Sequence, residues 1–150
     1  MKTLLISLFT IAATSLGAIA QDAVKLELTG NDQMQFDKKE LTVTEGQKVT
    51  LTLKHIGKLA KNVMGHNVVI LQAGTPVPPF AMKAAPAAAT DYIPADEESK
   101  KLIVAHTKMV GGGESASVTF TAPAPGDYPY ICTFPGHFGL MTGKLVVKAK

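Results

Sequence analysis

Cys132, His137 and Met141 lie on one short stretch, ICTFPGHFGLMTG at residues 131–143, with four residues between the first pair and three between the second. A thiol, an imidazole and a thioether are thereby gathered on a single loop. That mixture suits copper: a soft thiolate, a borderline imidazole and a long weak thioether let the metal pass between Cu(I) and Cu(II) without large ligand movement. A second histidine is missing from the stretch, and the best candidate is His66 in NVMGHNVVI, at the mouth of an apolar run. Taken singly, a lone Cys is a small buried hydrophobe and a Met is core filling. Their joint spacing, in an exported chain with one Cys, points instead to a metal centre.

Export is read from the N-terminus. Lys2 precedes an uncharged apolar run from Leu4 to Ile11, and Ala18-Ile19-Ala20 has the small-x-small pattern that signal peptidase accepts. Residues 1–20 are therefore expected to be a cleaved signal peptide, with an apolar run too short to span a bilayer. The mature chain, residues 21–150, is then one soluble exported domain, large enough for one core and too small for two. A single Cys cannot form an internal disulfide. In an oxidising compartment a metal would both protect that thiol and explain it.

The fifteen basic residues are all Lys, and loss of Lys2 with the leader leaves fourteen against twelve carboxylates, a net +2 with His neutral. Without Arg there is no fork for phosphate or base recognition, and no basic cluster is longer than Lys38-Lys39 or Lys100-Lys101. These features speak against nucleic acid as a partner.

The elements that must position the loop read as strands. VKLELT from Val24, ELTVTE around Leu41 and KVTLTLKH from Lys48 alternate apolar and polar residues with period two. NVVIL at residues 67–71 reads as a buried strand leading out of His66, and LIVAHTKMV from Leu102, ASVTFT from Ala116, DYPYIC from Asp127 and GKLVVKA from Gly143 complete the set. Short strands, polar turns and no sustained helical period predict an all-β, antiparallel sandwich. Residues 73–101 break the pattern, with five Pro and a cluster of Ala at 84–89. They predict a flap with one or two short helical turns, either a surface insertion or a functional element.

GNDQMQF, KNVMGHN, AHTK and CTFPGH resemble segments of the azurins, bacterial blue-copper proteins of the cupredoxin family, over nearly all of the mature chain. The APAPG turn and the Pro-rich flap are more similar to auracyanin, a related blue-copper protein. The resemblance implies an eight-stranded Greek-key sandwich with one copper ion at one end, His66, Cys132 and His137 as equatorial ligands, Met141 as an axial ligand and the Gly65 carbonyl as a weaker one opposite. It also implies that backbone N–H groups of Asn67 and Phe134 point at the sulfur, and that His55 lies near the copper. His55 then either titrates with redox state or is a satisfied buried histidine, and Asn67 either bridges two loops or serves its own turn. His106, beside Lys108, is expected to face solvent.

Two family features are absent. The disulfide from the first strand to the turn before the third has Ala23 at one end and Glu45-Gly46-Gln47 at the other, forgoing roughly 2–4 kcal/mol. The core Trp is replaced by Val68.

The implied function is a monomeric periplasmic electron carrier, not an enzyme. It would cycle Cu(II)/Cu(I) between redox proteins such as c-type cytochromes, nitrite reductase or peroxidase. A copper enzyme would need further His-rich sites or an open coordination position, and the chain has four His. A copper store would use flexible Met- or Cys-rich loops rather than this mixed set. The imidazole of His137 is expected to emerge through an apolar patch of Phe138, Gly139, Leu140, Leu59 and Met64.

Overall fold

Alternation of side chains along the strands builds the core. The computed structural model describes residues 23–150, so the expected signal peptide at 1–20 lies outside the described residues. Eight strands form two sheets: β1 (Val24–Gly30), β3 (Lys48–His55) and β6 (Ser115–Thr121) in one, and β2 (Glu40–Thr44), β8 (Thr142–Lys148), β7 (Gly126–Ile131), β4 (Val69–Leu71) and β5 (Ile103–His106), in that order, in the other. Leu28, Val49, Leu51 and Leu53 from the first sheet meet Leu41, Val43, Ile70, Tyr130, Leu145 and Val147 from the second in one apolar core. On the outer face of the first sheet, Thr50 pairs with Thr119 at 2.9 Å and Thr52 with Ser117 at 2.8 Å. Period two therefore sorts this sheet into a dry face and a wet one.

The sandwich is all-β as expected, but its sheets are mixed rather than antiparallel. β1 pairs with β3 in parallel, Leu28 opposite Leu53, and β2 pairs with β8 in parallel, Leu41 opposite Leu145. The reason is a crossing between layers. After β1 the chain crosses to the second sheet to form β2, and it re-enters the first sheet at β3 running in the direction of β1.

The flap covers the outer face of the second sheet. It contains α2 (Val77–Ala84), a 3₁₀ turn (Ala88–Thr90) and α3 (Glu97–Lys101), following a short α1 (Lys61–Met64). The prolines do not prevent α2, because they cluster at its start, where backbone N–H groups lack intrahelical partners. Phe80 and Ala81 of α2 pack on Val69, Leu71 and Ile131. β4 and the end of β7 are thus buried on both faces, which explains the unbroken apolar run of NVVIL.

The turn that lacks the family disulfide is tied by hydrogen bonds. Thr44 N–H donates to Gln47 Oε1 at 2.7 Å, while Gly46 N–H reaches the Ala122 carbonyl at 2.9 Å and Ala122 N–H reaches the Gln47 carbonyl at 2.8 Å. Val68, in place of the Trp, is fully buried in the main core. Removing the Gln47 amide tests how much the turn carries. Gln47→Ala is expected to lower unfolding free energy by about 1 kcal/mol, the net worth of one such hydrogen bond, measured as a shifted denaturant midpoint with unchanged slope.

Candidate metal centre

Three strand ends converge on the site. The inward row of β7, Tyr128 and Tyr130, continues with the same period to Cys132, just past the end of the strand. The inward row of β3 ends at His55 and that of β1 at Gly30, which face each other across the parallel pair. His66 sits on both. Its ring stacks on His55 with centroids 4.2 Å apart, and a Cβ at Gly30 would come within 2.8 Å of His66 Cδ2 and 3.3 Å of the Met141 methyl. Glycine at position 30 makes the room for the histidine ring.

The ligand loop is the connection between β7 and β8. Cys132 N–H donates to the Met141 carbonyl at 2.9 Å, extending the ladder one step past Ile131 and Thr142. Inside the loop, N–H groups of Leu140 and Met141 both bond the His137 carbonyl, at 3.0 and 2.8 Å. The spacing of Cys, His and Met is thus fixed by backbone hydrogen bonds, and all three side chains are buried.

The sequence-predicted donors come together. Cys132 Sγ lies 3.7 Å from His137 Nδ1, 4.0 Å from His66 Nδ1 and 3.8 Å from the Gly65 carbonyl. All three ligand atoms of His66, Cys132 and His137 lie within 4.8 Å of one another. An ion about 2.0–2.3 Å from imidazole nitrogen and thiolate sulfur holds its donors roughly 3.5–4 Å apart, so the set fits one metal. The tautomer is fixed as well. His66 Nε2 donates to the Asn31 carbonyl at 2.9 Å, leaving Nδ1 as the free electron pair.

Asn31 was hidden from sequence reasoning. Asn31 also accepts from Gln33 and Gln35 N–H through its side chain, a local Asx pattern that could have marked it. Asn67 proves to be a bridge: Nδ2 donates to Thr133 Oγ1 at 2.7 Å and to the Asp91 carbonyl at 3.2 Å, and its Oδ1 accepts from Thr133 N–H at 2.9 Å. His55 is buried, with Nε2 bonded to the Met64 carbonyl at 2.8 Å and Nδ1 accepting from Gly57 N–H at 3.0 Å. His106 is exposed, as its setting in the sequence predicts. Phe138 departs from expectation. It is half-buried and packs under the flap with the cluster of Val69, Leu71 and Phe80 on the outer face of β4, whereas Leu140 is 54% exposed.

Burial sets the protonation of the metal-free site. It pushes the Cys132 thiol up to about 11, partly opposed by the N–H groups of Asn67 and Phe134 aimed at the sulfur. Burial also holds His137 down at about 4, helped by the neighbouring His66 and His55, and lowers His66 too. Two neutral imidazoles thus face one protonated thiol. A soft metal that displaces the thiol proton meets donors already in place.

Residues 22–148 match the model of the copper-binding proteins of the plastocyanin/azurin family. The chain is 47% identical to azurin-1 of Alcaligenes xylosoxydans xylosoxydans over 124 residues, covering 80% of this chain and 94% of that one. Among solved structures, dithionite-reduced auracyanin from Roseiflexus castenholzii superposes with a TM-score of 0.74 at 37% identity, covering 85% of this chain and 98% of that one. Auracyanin A, described as a "blue" copper protein from Chloroflexus aurantiacus, gives 0.70 at 40% identity, with 85% and 100% covered.

For the copper-free chain the shifts have opposite pH signs. Between about 4 and 6.5 the unfolded chain protonates a histidine that the folded chain keeps neutral, so stability falls as pH drops through that window. Between 9 and about 11 the unfolded chain releases a thiol proton that the folded chain retains, so stability falls again as pH rises. Cys132→Ser should remove the thiol's share of the alkaline loss, leaving that of Tyr130, whose hydroxyl burial also pushes up, and keep the acid loss, read from melting temperature against pH.

Proposed function

Because the chain belongs to the plastocyanin/azurin family of copper-binding proteins, we propose that it carries single electrons between redox partners in the periplasm. The observation that carries this reading is the buried convergence of His66, Cys132 and His137. Those three side chains would hold the copper, with the Met141 thioether and the Gly65 carbonyl as weaker donors. Copper, when bound, supplies a one-electron Cu(II)/Cu(I) couple.

The chain's own residues supply rigidity and exclusion of water. Asn67 and Thr133 lock the His66 segment to the ligand loop, the Asn31 carbonyl orients His66, and the buried strand ends keep solvent from the sulfur. A donor set that does not rearrange between oxidation states suits electron transfer and gives a substrate no open position. Leu140 of the loop, 54% exposed, offers an apolar surface, and the resemblance puts Leu59, 41% exposed, beside it. Such a patch suits brief docking, since redox encounters bury less than about 1,200 Å². By the family resemblance its partners would be redox proteins such as c-type cytochromes, nitrite reductase or peroxidase, and the export signal read at residues 1–20 supports the periplasm as compartment. Among the described residues, no helix is long and apolar enough to cross a membrane.

One equivalent of Cu(II) is expected to give an intense red-absorbing charge-transfer band that disappears in Cys132→Ser. A serine variant that stayed blue would remove Cys132 from the ligand set and sink the reading. Docking is tested separately with Leu140→Lys. Two like charges about 4 Å apart in water repel by about 1 kcal/mol, so electron self-exchange should slow about fivefold or more while the visible spectrum is unchanged.

A further inference from the structure

The Pro/Ala-rich flap does more than cover the outer sheet face. At Asp91 and Tyr92 the backbone turns left-handed twice in succession, with φ of 54° and 59°. Neither residue is glycine, and a bulky aromatic in that region costs energy that the surroundings must offset. The surroundings are specific. Tyr92 N–H bonds the Ala87 carbonyl at 2.9 Å, and Asp91 N–H bonds the Ala88 carbonyl at 3.3 Å. The Asp91 side chain accepts from Met109 N–H at 3.3 Å and from Lys61 Nζ at 3.4 Å.

From this hook two routes lead to the ligands. By the first, the Asp91 carbonyl receives Asn67 Nδ2, and Asn67 Oδ1 receives Thr133 N–H. Asn67 and Phe134, whose N–H groups point at the Cys132 sulfur, are one residue in the Asn67–Thr133 bridge and the next along the chain. By the second, the Tyr92 ring meets Phe134 edge-on with centroids 5.3 Å apart, and Phe134 lies against the His137 ring at 4.6 Å. Met109, pinned by Asp91, is itself close to Gly65: a Cβ there would come within 2.9 Å of its sulfur. A cavity of about 200 Å³ opens beside the hook, walled by Lys61, Asp91, Tyr92, Met109 and Phe134. It is roomy enough for several waters, each about 30 Å³ in the liquid. The hook and Phe134 of the ligand loop thus share one wall of that space.

We propose that Asp91 and Tyr92 are positioning residues of the copper site, fixing the two sulfur-directed N–H groups and the His137 ring from the flap. The proposal rests on the copper reading given above. Loosening the hook weakens the hydrogen bonds to sulfur. The thiolate then donates more strongly to Cu(II), which lowers the reduction potential. Copper also leaves faster through a loop less firmly held.

The test uses Tyr92→Gly and Asp91→Gly, which keep the left-handed backbone and delete the side chains, beside Tyr92→Phe and Asp91→Asn, which keep ring and acceptor. Tyr92→Leu, retaining apolar bulk, serves if the glycine variants do not fold. Copper release to a chelator should be at least tenfold faster in the disruptive variants. Their one-electron equilibrium constant should shift about tenfold toward Cu(II), a fall of about 59 mV. In the copper-free protein, amide hydrogen exchange at Thr133 and Phe134 should speed up. The conservative variants should stay within twofold of wild type on all three readouts. If the disruptive variants also stay within twofold on release and potential while only melting temperature falls, the hook is merely structural and the proposal is overturned. Absence of the thiolate band in wild type would overturn the copper reading itself, and this proposal with it.

Discussion

A sulfur atom kept from water is the constraint on which the rest of the architecture turns. Cys132 is fully buried, and burial alone would keep its proton on far above neutrality. What makes the position usable is the company it is given: two neutral imidazoles, a carbonyl, and two backbone N–H groups. Each of those groups would itself be costly to bury unpaired. The protein satisfies them from outside the donor set, with Asn31 for His66 and the β7–β8 loop for Met141. The buried cluster is therefore poised for a soft cation, since the donors are oriented before any metal arrives.

That orientation cannot be local. The segments around Asn31, His66 and Cys132 are far apart in sequence, and each is a loop at the end of a strand rather than part of the strand itself. They are fastened to one another by Asn67 with Thr133 and by the His66 ring with the Asn31 carbonyl, and the His66 backbone is further held by Val110, whose C=O and N–H groups exchange bonds with it at 2.9 and 2.8 Å. Because each loop grows out of a strand whose neighbours are in the core, loosening the site means loosening the sandwich. Site rigidity is in this sense drawn from global stability rather than from the loop alone.

This division decides what the sequence could reveal. The Cys, His and Met spacing is legible because all three lie on one hairpin loop, and His66 is legible because a histidine before a run of Val and Ile has little other reason to be there. Period-two alternation marks most strands directly. Parallel pairing of β1 with β3 leaves no local mark, since it follows from where β2 goes and not from what β1 or β3 contains. Helix α1 is equally silent: its N-cap is Ala60, with no side-chain cap and no acidic first turn. Phe138 was misplaced because an aromatic beside a ligand reads as part of the surface patch, whereas the apolar outer face of β4 claims it. The left-handed pair at Asp91 and Tyr92 lies in a stretch whose Ala and Pro content predicts only irregularity.

The absent disulfide and the absent Trp can be placed relative to the site by counting along strands. β3 begins at Lys48, beside the Glu45-Gly46-Gln47 turn, and ends at His55, under His66. At about 3.3 Å per residue the turn is roughly 23 Å from the ligand end. A cross-link there acts on the unfolded chain and on global stability, and its loss leaves the ligand distances untouched. Val68 is a different matter, since it follows Asn67 directly. Its smaller side chain removes aromatic area from the core, yet its N–H is held by Thr107 Oγ1 at 3.0 Å and its carbonyl by Thr107 N–H at 3.0 Å. The backbone that carries Asn67 to Thr133 is thus fixed by Thr107 rather than by the bulk of residue 68. Aromatic packing can be surrendered at that position while the hydrogen bonds that set the sulfur's surroundings stay as they are.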